Sequence, residues 1–435
     1  MIKAQEVRKT IGKNMLADGF NQVIDLDKSH ESWFIDKSDG KEYLDFFSMF
    51  ASGSVGYNHP KLVAHKDEFG RIAITKPTNS DIYSEEMAEF VDTFSKIAKP
   101  DYFKYMFFVA GGALAVENAL KVAFDWKTKK NFEKGLKTEG SKIIHFKQAF
   151  HGRTGYTLSL TNTSDPRKTQ YFPLFDWPRI TNPKVTYPLN DENLAKVKKL
   201  EEKALSEIHD AINKNKDAIA GLILEPIQGE GGDNHFRKEF MQELRKICDE
   251  KEILFIMDEV QSGAGLTGKF WAHEHYDVKP DVISFGKKTQ VCGILSSDRV
   301  DEIKDNVFHE SSRINSTWGG NLIDMVRFSA ILKIIEEENL VENARIQGEY
   351  LLSELQKIAN DFPQLISNPR GKGLMCAFDL PDGEIRDSLL GKLSDKQLLI
   401  LGCGDNSIRF RPHLVITKDE IKHGIDVIRE VLESM

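Results

Sequence analysis

The chain has 435 residues, 40% of them hydrophobic, and its 59 Lys and Arg against 67 Asp and Glu give a formal net charge of -8. That length supports one large core with a smaller satellite lobe, and the lack of long blocks of either sign excludes nucleic acid and anionic membrane as main partners. Four scattered cysteines (Cys248, Cys292, Cys376 and Cys403) form neither a disulfide framework nor a zinc-site spacing, and no apolar stretch approaches the roughly 20 residues of a membrane span, so the expectation is a soluble cytoplasmic enzyme acting on small molecules.

The elements recur as strand, helix, strand. The first 50 residues, ending in "KEYLDFFSMF", are expected to wrap between two lobes. "YMFFVA" (105–110) reads as a buried strand, and "ALAVENALKVAFDW" after it places Ala119, Leu120, Ala123 and Phe124 at helical spacing. "KIIHF" (142–146), "IAGLILE" (219–225), "EILFIMD" (252–258) and "DVISFG" (281–286) are short runs rich in Ile, Leu, Val and Phe, the signature of parallel strands covered on both faces. Between two of them, "FRKEFMQELRKICDEKE" (236–252) sets Phe236, Phe240, Leu244 and Ile247 on one stripe, which predicts a crossover helix. Glu225, Asp258 and Lys287 are then 33 and 29 residues apart, close to the roughly 30 of a βαβ unit, and all three fall at carboxyl ends of strands, where open α/β sheets bind ligands. From about residue 325 a long helical stretch, then "GLMCAFDL" and "SIRFRPHLVI" as strands, predict a mixed C-terminal lobe.

Two adjacent lysines, Lys287 and Lys288, close the "DVISFG" run. A lysine amine becomes a nucleophile when its surroundings lower its pKa or an aldehyde traps it, although a solvated lysine is the commoner fate. The company points to pyridoxal 5'-phosphate, which needs a lysine, an acid for its pyridine nitrogen, a phosphate cradle and an aromatic ring over its face. Asp258 supplies the acid; alone it reads as a loop-facing cap. Gly111 and Gly112 in "VAGGALAVENA" open a helix whose free N–H groups suit a phosphate, where the plain alternative is an ordinary tight turn. Phe150 in "AFHGR" can stack on the ring or belong to the core. "GAGLTG" matches a dinucleotide fingerprint at Gly263, Gly265 and Gly268, but only one or two helical turns fit before Pro280, and Asp281 opens the next strand instead of ending it.

These residues, with "EPIQGEGGD", "MDEVQSGAGLTG", "PDVISFGKKTQVCG", "RINSTWGGNLIDMVR" and "IRFRPHL", make the chain resemble the class III (ω-amino) aminotransferases nearly end to end. "GKKTQVCG" with "NSTWGGN" points to the branch that acts on the ε-amine of lysine. The resemblance implies a fold type I α/β transferase: a large domain with a mostly parallel seven-stranded sheet over 60–325, a smaller α+β C-terminal domain over 326–435, and an N-terminal segment, 1–59, joining the small domain and a homodimer. An Asp six positions before the imine lysine opens its strand in that family, so Asp281 selects Lys287 over Lys288. The same resemblance sets Asp258 at the pyridine nitrogen, Gln261 near the ring hydroxyl, Gly112 and Ala113 at the phosphate, Phe150 over the ring, and Thr317 reaching the phosphate of a neighbouring subunit. The chain departs from the general family pattern in its phosphate loop, in the residues after Lys287 and at His413, which stands where a second proline is usual.

The implied reaction joins L-lysine and 2-oxoglutarate in two half-reactions at one site, which poses a charge problem. Arg409, three before Pro412, matches the arginine that pairs with the α-carboxylate of glutamate; Arg153 is expected to hold the distal carboxylate, and Glu230 to neutralise Arg409 when lysine is bound, since an unpaired buried arginine is costly. Read alone, Arg409 and Arg411 are strand-surface charges and Glu230 a loop acid. Other ω-amino donors (ornithine, 4-aminobutyrate, a diamine), an aminomutase needing no 2-oxoglutarate, and a nicotinamide dehydrogenase are the alternative readings.

Overall fold

The computed structural model describes residues 2–435. Trp33–Ile35 (β1) and Glu42–Asp45 (β2) pair antiparallel. Phe103–Val109 (β3), Lys142–Phe146 (β4), Arg179–Ile180 (β5), Ile219–Leu224 (β6), Leu254–Asp258 (β7), Val282–Phe285 (β8) and Cys292–Ser297 (β9) follow. These last form one seven-stranded sheet in the order β3-β9-β8-β7-β6-β4-β5. Neighbours from β5 to β8 run parallel, and only β9 is antiparallel to those beside it. Every residue of β6, β7 and β8 is buried, as their mostly apolar composition fits strands covered on both faces.

Helices supply that cover. Gly112–Glu133 lies across β6, β8 and β9 with Ala119, Leu120 and Ala123 buried. Lys238–Glu250 crosses from β6 to β7 and buries Phe240, Leu244 and Ile247, each contributing roughly 1.5–3 kcal/mol. Phe236 is buried just ahead of that helix, which starts two residues later than the apolar stripe suggests.

The C-terminal part differs in detail from the sequence expectation. The long helical stretch is two helices, Leu322–Glu337 and Leu340–Asp361, broken at Asn339, whose φ of 52° is the left-handed conformation that asparagine tolerates. Ser367–Lys372 (β10), Met375–Asp379 (β11), Leu398–Leu399 (β12), Leu401–Cys403 (β13) and Ser407–Phe410 (β14) follow. β14 stops at Phe410 instead of running to Ile416, since Pro412 offers no backbone donor and Arg411 turns inward. Four of these strands form an antiparallel sheet, β10-β11-β14-β13, while β12 pairs parallel with β2 and so ties the N-terminal segment to the C-terminal lobe. A capping box between Thr417 and Glu420 starts the closing helix, Lys418–Glu433. "GAGLTG" forms no helix start: Gly265 and Gly268 have φ of 89° and 78°, and a Cβ on Gly268 would lie 2.9 Å from that of Arg345.

Candidate active site

Because β6, β7 and β8 run parallel, Glu225, Asp258 and Lys287 emerge at the same end of the sheet. Asp281 fixes the start of β8: its Oδ2 accepts from Phe255 N at 2.7 Å and from Arg245 Nη1 and Arg299 Nη1, both at 3.0 Å. After β8, Gly286 leaves room for the Cys292 sulfur, 2.9 Å from where its Cβ would stand. Lys287 then takes a left-handed φ of 54°, a strained conformation that aims its side chain. The Lys287 amine has no hydrogen-bond partner among the described residues. Burial, then the Arg409 and Arg411 cations, lower its pKa from the ordinary 10.5 to about 7.

Lys288 has a different fate. Its buried amine donates to the carbonyl of Gly53, and its own carbonyl accepts from Ser54 Oγ at 2.7 Å. The adjacent lysine therefore staples the N-terminal segment to the β8 loop. His413 belongs to the same staple: its ring fills the space a side chain on Gly53 would occupy, with Nε2 3.5 Å from Asp45 Oδ2.

Around Lys287 stand the carboxylates. Asp258 Oδ1 accepts from Val260 N and Ser284 Oγ, both at 3.1 Å, and its Oδ2 lies 2.8 Å from His151 Nδ1. His151 Nε2 is buried without a partner. Glu225 accepts from Phe150 N and Gly229 N, each at 3.0 Å, and burial pushes its pKa up to about 7. The loop carrying Phe150 abuts the helix start, since a Cβ on Gly152 would sit 2.6 Å from that of Ala113.

That helix start is built for close approach. Gly111, with φ of 117°, precedes a 22-residue helix whose first N–H groups are free. A Cβ on Gly112 would lie 3.0 Å from Val260 Cγ1, and one on Gly286 3.4 Å from the same atom, so Val260 floors the space between the helix start and the lysine. The Cys292 thiol faces backbone N–H groups of both Gly111 and Lys287.

Arg409 is buried, and its Nε and Nη1 have no partner. Glu230 stands apart from it here: Glu230 Oε1 is ion-paired with Lys168, and Oε2 is buried and unpartnered. A positively charged neighbour sixty-odd residues away wins the acid, a contact no local pattern announces. Arg411 is instead the saturated arginine, paired with Asp233 and donating to Gln261 Oε1 from Nε at 3.1 Å and Nη2 at 2.9 Å. Arg153 is exposed, its guanidinium carbon 6.0 Å from the Phe150 ring centroid. Thr317 is exposed too; its carbonyl accepts from Ser80 Oγ at 3.2 Å, and it makes no hydrogen bond to Gly112 or Ala113 within the chain.

The comparisons with known proteins agree with this geometry. Residues 16–432 match the family model described as "Aminotransferase class-III". The chain belongs to the class III aminotransferases. It is 48% identical over 430 residues, 98% of this chain and 95% of the relative, to an L-lysine-epsilon aminotransferase of Mycobacterium tuberculosis. It is 44% identical to one of Streptomyces clavuligerus, over 98% of this chain and 94% of the relative, and 32% identical to human mitochondrial 4-aminobutyrate aminotransferase, over 99% and 89%. A solved structure described as lysine aminotransferase from M. tuberculosis in the internal aldimine form superposes with a TM-score of 0.97 at 46% identity, covering 100% of both chains.

Membership makes this chain a pyridoxal-phosphate enzyme, and the residues present fit that group. A half-buried lysine whose pKa is lowered to about 7, a carboxylate backed by a histidine, and a glycine-opened helix start meet around one space. His151 was legible inside "AFHGR" and Arg411 inside "IRFRPHL", two residues after Arg409. Val260, Asp233 and Lys168 carried no such signal.

Proposed function

We infer that this class III aminotransferase transfers the ε-amino group of L-lysine to 2-oxoglutarate. The products are L-glutamate and 2-aminoadipate 6-semialdehyde, which closes on its own α-amine to piperideine-6-carboxylate. The observation that carries the acceptor half is the buried, unpartnered guanidinium of Arg409, close enough to depress the Lys287 amine: it lacks an anion, and an α-carboxylate supplies one. The identity of 44–48% to L-lysine-epsilon aminotransferases supports the donor.

In this reading Gly112 and Ala113 hold the cofactor's phosphate, Asp258 its ring nitrogen, Gln261 the ring hydroxyl side, and Phe150 covers the ring. Bound pyridoxal phosphate supplies an aldehyde that accepts an amine and a ring that draws electrons from the reacting carbon. The chain does the rest. Lys287, whose pKa is lowered to about 7 by burial and the Arg409 and Arg411 cations, takes the proton from the donor's reacting carbon with Nζ in one half-reaction and delivers one to the acceptor's reacting carbon in the other. Asp258 is held in place by Val260 N and Ser284 Oγ on one oxygen and by His151 on the other. Arg153 takes the distal carboxylate of either substrate, and Glu230 covers Arg409 when lysine occupies the site. Alternation between the two partners gives ping-pong turnover.

The same proposal includes a homodimer with shared sites, in which Thr317 of the partner subunit meets the phosphate. Exposed Ile74, Ile82, Tyr83 and Trp318 cluster along two segments joined by the bond of Asn79 N to Trp318 O at 3.3 Å, and Leu114 is exposed beside Ala113. It also includes the domain division 1–59, 60–325 and 326–435, and a cytoplasmic location, for which four free, buried cysteines and the lack of any membrane-length apolar helix among the described residues speak. A donor panel tests the function. L-lysine is expected to give glutamate from 2-oxoglutarate with a higher kcat/KM than ornithine, 4-aminobutyrate or 1,5-diaminopentane; a higher value for one of these would replace the donor.

A further inference from the structure

Glu230 stands between two cations, and the structure shows it with the outer one. Lys168 lies in the loop that leads to β5, at the end of a turn fixed by its own ion pair, Arg167 Nε to Asp165 Oδ1 at 2.8 Å. From there the Lys168 amine pairs with Glu230 Oε1 and stands 6.0 Å from the Phe150 ring centroid. The pair is well shielded, with side chains 17% and 25% exposed. The backbone of Glu230 is anchored on the hairpin of β13 and β14 that bears Arg409, through Gly404 N donating to Glu230 O at 2.8 Å. The choice between the two cations therefore falls to the side chain of Glu230 alone. As the molecule stands, Lys168 holds that side chain, and both Arg409 Nε and Arg409 Nη1 are left open.

We propose that Lys168 is a specificity-setting positioning residue: by holding Glu230 it keeps Arg409 open to a dicarboxylate acceptor, and by releasing it lets Glu230 cover Arg409 for a donor that brings no carboxylate to the reacting end. The inference rests on the two-substrate reading above. Its energetic basis is a two-state equilibrium of one carboxylate between two cations, and each substrate binds only one of the states. Removing the Lys168 charge moves the acid toward Arg409, which favours the donor half-reaction and penalises the acceptor half-reaction.

The test compares K168M and K168R, each in the wild-type and E230Q backgrounds, as cofactor-loaded protein. Two quantities are read: the ratio of kcat/KM for the L-lysine half-reaction to that for the 2-oxoglutarate half-reaction, and equilibrium binding of glutarate, a dicarboxylate with no reacting carbonyl. K168M is expected to raise the ratio and weaken glutarate by roughly fivefold, the upper range for a partly exposed ion pair. K168R is expected to behave as wild type, and K168M to change neither quantity once Glu230 is Gln. If L-lysine is not turned over but glutarate binding follows this pattern, the donor reading falls and the role of Lys168 stands. An unchanged ratio and unchanged glutarate binding in K168M would overturn it. So would an effect that persists in E230Q, which would assign Lys168 to the ligand itself, or an equal loss of both half-reactions with a lowered Tm.

Discussion

Replacing Arg409 with Met is expected to stabilise the protein while disabling one half-reaction. In the absence of substrate the guanidinium is buried with two unpartnered nitrogens, and burial together with the Arg411 cation lowers its pKa. Exchanging such a charge for an apolar side chain of similar length gains about 1–4 kcal/mol. With an unfolding entropy of about 2.1 cal/mol/K per residue, 435 residues give about 0.9 kcal/mol/K, so Tm rises by about 1–4 °C. Losing a desolvated partner for the α-carboxylate removes about 2–5 kcal/mol of transition-state binding, a fall of roughly 30-fold to several thousandfold in kcat/KM for 2-oxoglutarate. The L-lysine half-reaction loses far less, because its carboxylate lies at the other end. Thermal unfolding in a buffer free of dicarboxylates, with and without 2-oxoglutarate, and stopped-flow half-reactions read both effects. Added 2-oxoglutarate should raise Tm for wild type and not for the variant. A lowered Tm together with an intact 2-oxoglutarate half-reaction would refute the reasoning.

The Lys287 amine titrates at about 7, so the L-lysine half-reaction is expected to rise with pH through about 7 and level off above it. Its folded pKa lies below the ordinary 10.5, so between the two the folded protein binds fewer protons than the unfolded chain; stability should rise with pH across that window, and Lys287→Met should flatten the rise in thermal unfolding of the cofactor-free protein. Equal slopes for the two proteins would count against a depressed amine at Lys287. Gly53→Ala would place a Cβ 2.3 Å from His413 Cε1 and is expected to cost about 1–3 kcal/mol by urea denaturation. Adding Gly53→Ala to a His413→Ala background should cost nothing further; a cost there would place the strain elsewhere.

The core of the fold was legible because its strands are buried on both faces. Lys142–Phe146 matches its apolar run, and β6, β7 and β8 fall within theirs, so the three strand-end residues were in view from spacing alone. Ser367–Lys372 was not, for "SNPRGK" carries a proline and a glycine and no alternation. It is a strand because tertiary contacts hold it, with buried Arg370 donating to Asp233 O at 3.0 Å and to Asp379 Oδ1 at 2.7 Å. The sheet joining β2 to β12 was equally hidden, since its partners come from opposite ends of the chain. In the site, residues fixed by one strand end or one helix start could be named from sequence. Pairings between residues far apart in the chain could not: His151 faces Asp258 from 107 residues away, and Lys168 takes Glu230 from 62. Charge pairing at that range depends on which loops the folded sheet brings together.

The most direct measurement of the central claim is the visible absorption of the purified, cofactor-loaded protein during sequential addition of its two substrates. The account predicts that L-lysine alone removes the band of the lysine-bound cofactor and that 2-oxoglutarate then restores it, with one glutamate formed per site. A band that ornithine or 4-aminobutyrate removes and L-lysine does not would contradict the assigned donor. Protein that takes up no pyridoxal phosphate would contradict the site itself.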